Sequence, residues 1–171
     1  MSKLGATVNV IGLIAIAAYG ASLHAQTISD KAQHDEIVNV AKDDPTMLAA
    51  MQRARSTLSD FLALAKAPPP KTDGFSVKVA VRDHGHVEYF WIMPFEKKDG
   101  HFSGKLNNRP RTVANVTFGQ TITFAEAEIV DWMYMDDGKM KGSYTTCAIL
   151  KKEPLAEAEA LMKRYGLSCD S

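Results

Sequence analysis

The sequence predicts an α+β domain: an antiparallel sheet of about five to seven strands, open or partly closed into a barrel, packed by an N-terminal amphipathic helix and a short C-terminal helix. Three observations predict it. Apolar residues recur at three- and four-residue steps between Asp43 and the prolines at 68–70. After those prolines the period drops to two, in short segments separated by turns rich in Gly and Asp. A second helical stripe then follows Pro154 and stops at Gly166.

Residues 1–25 read as a cleavable secretory signal peptide. Lys3 makes a short basic start, "VNVIGLIAIAAYGA" is uncharged and mostly apolar, and small residues precede a cleavage expected after Ala25. The unbroken apolar core is about a dozen residues, short of the ~20 that a spanning helix needs, so an uncleaved anchor is the weaker reading. No cysteine lies at the junction, which argues against a lipid anchor. The expected compartment is therefore the bacterial periplasm, with no stable membrane anchor after processing. Loss of residues 1–25 would leave 146 of the 171 residues, the size of one domain. Lys3 is the only Lys, Arg, Asp or Glu removed, so 19 basic residues would face 20 acidic ones. That balance, with no basic run of five, gives no general attraction to nucleic acid.

Residues 26–42 are polar and irregular, and residues 43–171 are expected to form the single domain. Asp43 or Asp44 can cap the first helix, Pro45 fits its first turn, and Pro68-Pro69-Pro70 ends it. Met47, Met51, Ala54, Leu58, Phe61, Leu62 and Ala65 make its apolar stripe, which reads as a core face rather than a binding groove. "FSVKVAVRD" then alternates Phe75, Val77, Val79 and Val81 against Ser76, Lys78, Ala80 and Arg82. "DHGH" reads as a turn and "VEYFWIMPF" as the returning strand, apolar on both faces except at Glu88 and therefore central. Further strands are expected around Phe102–Leu106, at Thr121–Phe124 and from about Glu128. "DDGK" should turn the chain into a last strand, "KGSYTTCAIL". The closing helix places Leu155, Ala158, Leu161, Met162 and Tyr165 on one face, with Gly166 as its C-cap.

Cys147 and Cys169 are the only cysteines. In an oxidising compartment an even pair reads as a disulfide rather than a catalytic thiol, here tying the last strand to the C-terminal tail.

These punctuated segments resemble the YegJ-like bacterial family, domain of unknown function 2314. The matching features are Phe75-Ser-Val-Lys-Val-Ala-Val, Glu88-Tyr-Phe-Trp91, and Phe102-Ser-Gly104-Lys-Leu-Asn-Asn108-Arg-Pro110. Gly119 before Thr-Ile-Thr-Phe, Ile129-Val-Asp131-Trp132 and Gly142-Ser-Tyr144-Thr145 come next in the same order. The resemblance spans roughly residues 43–150. It implies the fold and carries over no biochemical activity and no cofactor.

Three constellations could carry chemistry. His84, His86 and Glu88 stand at two-residue spacing and on one strand face could hold zinc, but Gly85 between the histidines favours a hairpin tip. Glu88 and Asp131, set among apolar neighbours, could serve as general acid and base. The plainer reading is that each accepts backbone N–H groups and fixes a strand end or turn. Trp91, Trp132 and Tyr144, rimmed by Asn107, Asn108 and Arg109, could form a recognition surface, against a plainer reading of the rings as core. No G-x-S-x-G elbow, H-E-x-x-H helix, phosphate loop or C-x-x-C is present. The expected function is thus a non-enzymatic periplasmic protein that binds another protein, for example an inhibitor or immunity protein against a toxin or hydrolase acting there. The alternatives are an envelope hydrolase using Glu88 and Asp131, or a small-ligand or glycan-binding module. No cofactor is expected.

Overall fold

The computed structural model describes residues 44–169. The signal-peptide reading and that of residues 26–42 lie outside the described residues. Helices α1 (Pro45–Ser56) and α2 (Leu58–Lys66) precede strands β1 (Thr72–Asp83), β2 (His86–Lys98), β3 (His101–Leu106) and β4 (Thr121–Phe124). A 3-10 turn at Glu126–Glu128 leads into β5 (Ile129–Asp136) and β6 (Lys139–Gly142), and α3 (Tyr144–Leu150) and α4 (Leu155–Tyr165) complete the domain. The six strands make one open antiparallel sheet in the order β4-β3-β2-β1-β5-β6. β2 is central, as its two apolar faces require.

Asp44 accepts the Met47 N–H at 3.0 Å and so caps α1, with Pro45 in the first turn. The single helix expected across 43–66 is broken at Thr57. Its hydroxyl donates to the carbonyls of Arg53 (3.0 Å) and Ala54 (3.3 Å). The Trp132 indole N–H also donates to the Ala54 carbonyl at 3.0 Å. Acceptors that would serve the helix ladder are thus shared with side chains, and the axis bends there.

One face of the sheet is covered by α1 and α2. Ala54, Leu58 and Phe61 pack there on Val77, Val79, Phe90 and Ile92. Phe61 lies 4.9 Å from the Trp132 ring and 5.9 Å from Phe75, at the middle of an aromatic cluster. Hairpins join β1–β2, β2–β3 and β5–β6 through His84-Gly85, Asp99-Gly100 and Asp137-Gly138, all with positive φ. That conformation matches the twist of two-residue hairpin turns, which is why these dipeptides punctuate the sequence.

The last strand is shorter than expected. β6 stops at Gly142, and the Tyr-Thr-Thr-Cys stretch read as its continuation is helix α3. Ser143 turns the chain with φ 55°, and Asp131 then accepts the N–H groups of Tyr144 and Thr145. A carboxylate thirteen and fourteen residues upstream thus supplies the acceptor for the first turn, a local propensity being overridden by a tertiary partner.

The Cys147–Cys169 disulfide forms, with Cα atoms 5.4 Å apart, and joins α3 rather than a strand to the tail. Around it Cys147, Leu150, Ala158, Leu161 and Leu167 make a second, smaller core. Leu155 and Tyr165, expected on the apolar face of the closing helix, are 72% and 42% exposed, because α4 docks through its middle alone.

Candidate functional site

β2 carries Glu88 inward between Val87 and Tyr89, and the side chain is 4% exposed. Its carboxylate accepts the backbone N–H groups of Arg111 (3.1 Å), Thr112 (2.8 Å) and Val113 (3.1 Å). Asp83 adds the Ala114 N–H at 2.8 Å, and the Asn115 amide donates to the Arg82 carbonyl at 2.9 Å. These bonds pin the long connection 107–120 to the end of the β1–β2 hairpin. It is held by one buried carboxylate, Glu88, and by exposed bonds to Asp83 and Arg82 rather than by regular pairing.

Asp131 is 0% exposed and accepts four donors. They are the N–H groups of Trp132 (2.9 Å), Tyr144 (3.3 Å) and Thr145 (2.8 Å) and the Thr145 hydroxyl (2.6 Å). Lys78, its register partner on β1, donates from Nζ to Thr145 Oγ1 at 3.0 Å. Burial pushes the Asp131 carboxyl above its ordinary range, against the opposing pull of Lys78 and the Thr145 and Trp132 donors. Burial likewise pushes Lys78 down, against Asp131. Thr145 is 1% exposed, so this Lys–Thr–Asp chain ties β1, β5 and α3 together with its hydroxyl shut away from solvent.

The register separates the two acids. Glu88 pairs with Val81 on the helix-covered face, whereas Asp131 pairs with Lys78 on the other. They do not share a pocket, and each is committed to donors of its own.

Trp132 is in the core at 8% exposure, stacked on Phe61 with its N–H on the Ala54 carbonyl. Tyr144 is partly buried edge-on to it, with ring centroids 5.5 Å apart. Trp91 is partly buried on the face opposite α1 and α2, where Lys78 Nζ lies 5.2 Å from its ring centroid. Asn108 is a framework residue: its Oδ1 accepts the Trp91 N–H at 2.9 Å while the Asn107 N–H returns to the Trp91 carbonyl. Arg109 is exposed and lies 5.5 Å from the ring of Phe118, itself 54% exposed. The proposed surface is therefore split, with Trp132 inside and Trp91 and Arg109 accessible.

His84 occupies the hairpin turn with φ 43°, its side chain 93% exposed, so it does not share strand geometry with His86 and Glu88. Among the described residues no group of three or more His, Cys, Asp or Glu side chains is arranged to hold a metal. None of their helices is long and apolar enough to cross a membrane.

Residues 44–168 match a protein family described as "Uncharacterized protein conserved in bacteria (DUF2314)". The chain is also 33% identical over 127 residues to "Uncharacterized protein YegJ" of Escherichia coli (strain K12), covering 74% of this chain and 82% of that protein. The chain belongs to the DUF2314 family. No solved structure matches it.

In this DUF2314 domain the segments that carry the resemblance prove to be bonded to one another. Trp91 meets Asn108, Asp131 meets Tyr144 and Thr145, and a Cβ on Gly142 would collide with the Trp132 carbonyl and ring. Lys78 and Thr145 do not stand out in the sequence as site residues. The one signal there is a lysine interrupting the small and polar row of β1.

Proposed function

We propose that this protein is a non-enzymatic, exported periplasmic protein that binds another protein, in the manner of an inhibitor or immunity protein. The observation that carries the reading is the exposed β2 part of the sheet face opposite α1 and α2. Tyr89 and Met93 are each 38% exposed there, on the same face of β2 as the partly buried Trp91. Aromatic and methionine side chains on a rigid, twisted sheet offer contact area with little entropy to lose on binding. The connection 107–120 is bonded to β2 at Trp91 and carries the exposed Arg109–Phe118 pair, which adds a cation and a ring to the accessible surface. The commitment of Glu88 and Asp131 to internal donors, on opposite faces, supports a binding role over a two-carboxylate hydrolase. Export is supported by the signal-like residues 1–25.

The test is affinity capture with the disulfide-intact protein against envelope and secreted extracts, followed by reconstitution with the purified partner. A complex of defined stoichiometry is expected, weakened about tenfold or more by Tyr89→Ser with Met93→Ser and by Arg109→Ala. Circular dichroism should be unchanged in those variants. A complex indifferent to all three changes, or no complex at micromolar concentrations, removes the reading.

A further inference from the structure

On the helix-covered side, α1, the β5–β6 hairpin, α3 and the C-terminal tail enclose a cleft of about 480 Å³, within the size range of small-ligand sites. Four of its lining residues are cationic: Arg53, Lys139, Lys141 and Lys151. None of the lining residues is an Asp or Glu. The chain as a whole has 20 basic and 20 acidic residues, so this one-sided wall is not a consequence of overall charge. These cations come from three separate elements and are brought together only by the fold.

Little among the described residues neutralises them. Among the described residues, neither Lys139 nor Lys151 has a carboxylate within ion-pair distance. Lys141 stands 3.9 Å from Asp136, both side chains 45% exposed, a contact that solvent screens. Arg53 is exposed and lies 4.9 Å from the centroid of the Tyr144 ring, which limits the places its guanidinium can occupy. Tyr134 brings a hydroxyl to the same wall, and burial, with Asp136 and Tyr144 beyond it, pushes that phenol above its ordinary range. It is a donor at neutral pH. The remaining wall is flat and apolar: Trp132, Tyr144 and Met140, with space left by Ala49, Ala50 and Gly142. Ser168 and Cys169 close one side, and the disulfide to Cys147 holds them in place.

We propose that this cleft binds a small organic anion, a carboxylate or phosphate carried on a flat apolar body. The anionic group lies among Arg53, Lys139, Lys141 and Lys151, and the body lies against Trp132, Tyr144 and Met140. The site is separate from the exposed β2 surface around Tyr89 and Met93, and either assignment can fail without the other.

The protein, purified with its disulfide intact, is titrated with phenyl phosphate, benzoate and benzyl alcohol, and amide resonances are monitored by NMR. Saturable shifts are expected for the backbone of Lys139–Gly142 and of Ala148, with at least one anion binding about tenfold or more tightly than the alcohol. The tighter of the two anions tells phosphate from carboxylate recognition. Arg53→Gln and Lys139→Gln, both at exposed positions, should each weaken binding several-fold without lowering the melting temperature, whereas Lys105→Gln outside the cleft should not. Shifts that fail to saturate, an alcohol that binds as well as both anions, or unchanged affinity in both cleft variants overturns the proposal.

Discussion

Glu88, on the helix-covered face, and Asp131, on the opposite one, each gather backbone N–H groups from a segment far along the chain. Glu88 reaches 23 to 25 residues ahead and holds an irregular connection; Asp131 reaches 13 to 14 ahead and starts a helix. Their surroundings make loss of the acid a different event in each place. The segment bound by Glu88 is mostly at the surface, where water can replace a missing acceptor: Arg111 and Thr112 are exposed and only Val113 is buried. Thr145 and Lys78 meet Asp131 in the interior, where water has no ready access. The same residue chemistry therefore holds a loop whose exposed amides water can reach in one place and a fully internal joint in the other.

Asp131→Ala should break the comparison most strongly. It orphans the start of α3 and leaves Lys78 without its counter-charge, with an expected loss of about 3–5 kcal/mol in denaturant unfolding. Cys147→Ser with Cys169→Ser asks how much of the docking of α3 belongs to the bridge rather than to the acid. For a sequence separation of 22 the expected loss is about 3 kcal/mol, with the Asp131 hydrogen bonds retained. Glu88→Ala should cost less, about 2 kcal/mol. Its signature is local: hydrogen exchange should quicken at Arg111–Val113 while the amides of β1 and β5 stay protected. Equal losses for the two acids would collapse the distinction.

Thr145→Val sharpens it further by keeping shape and removing one hydroxyl, which donates to Asp131 and accepts from Lys78. A loss of about 1–2 kcal/mol is expected. The smallest effect concerns acid. The hydrogen bonds from Lys152 and from the Met47 N–H hold Asp44 below its ordinary 3.8, so its stabilisation is complete above that value and fades as pH falls through the lower folded one. Asp131 has the opposite sign: its raised folded value means that the folded chain takes up that proton first, so this titration is not a source of acid destabilisation. Below about pH 4 the N-terminus of α1 should fray before α3 does, read as faster exchange at the Met47 amide. Asp44→Asn should abolish that pH dependence.

Several of these features could be read in order along the chain. The helix cap at Asp44, the stop at the prolines, the three hairpin dipeptides and the central placement of β2 are local patterns, each visible within a few residues. Glu88 stood out as the one acid in an apolar strand, and a structural role for it was the plainer reading. The break at Thr57 was not visible, because it depends on an indole 75 residues away. The split of the aromatic surface was hidden for a similar reason. Trp91 and Trp132 have comparable neighbours in sequence, and burial of the latter depends on where Phe61 and Ala54 come to rest.

By itself the sequence determined the family, the α+β class and the period of nearly every element, since periodicity and turn chemistry act over a few bonds. Tertiary structure alone decided that "YTTCAIL" is a helix and which acid became an internal joint. It also decided that four distant cations share one cleft. The strand tendency of Tyr, Thr and Ile is a matter of fractions of a kcal/mol per residue, about an order of magnitude less than the loss of a buried carboxylate's set of donors. Where the two conflict, the buried acceptor prevails.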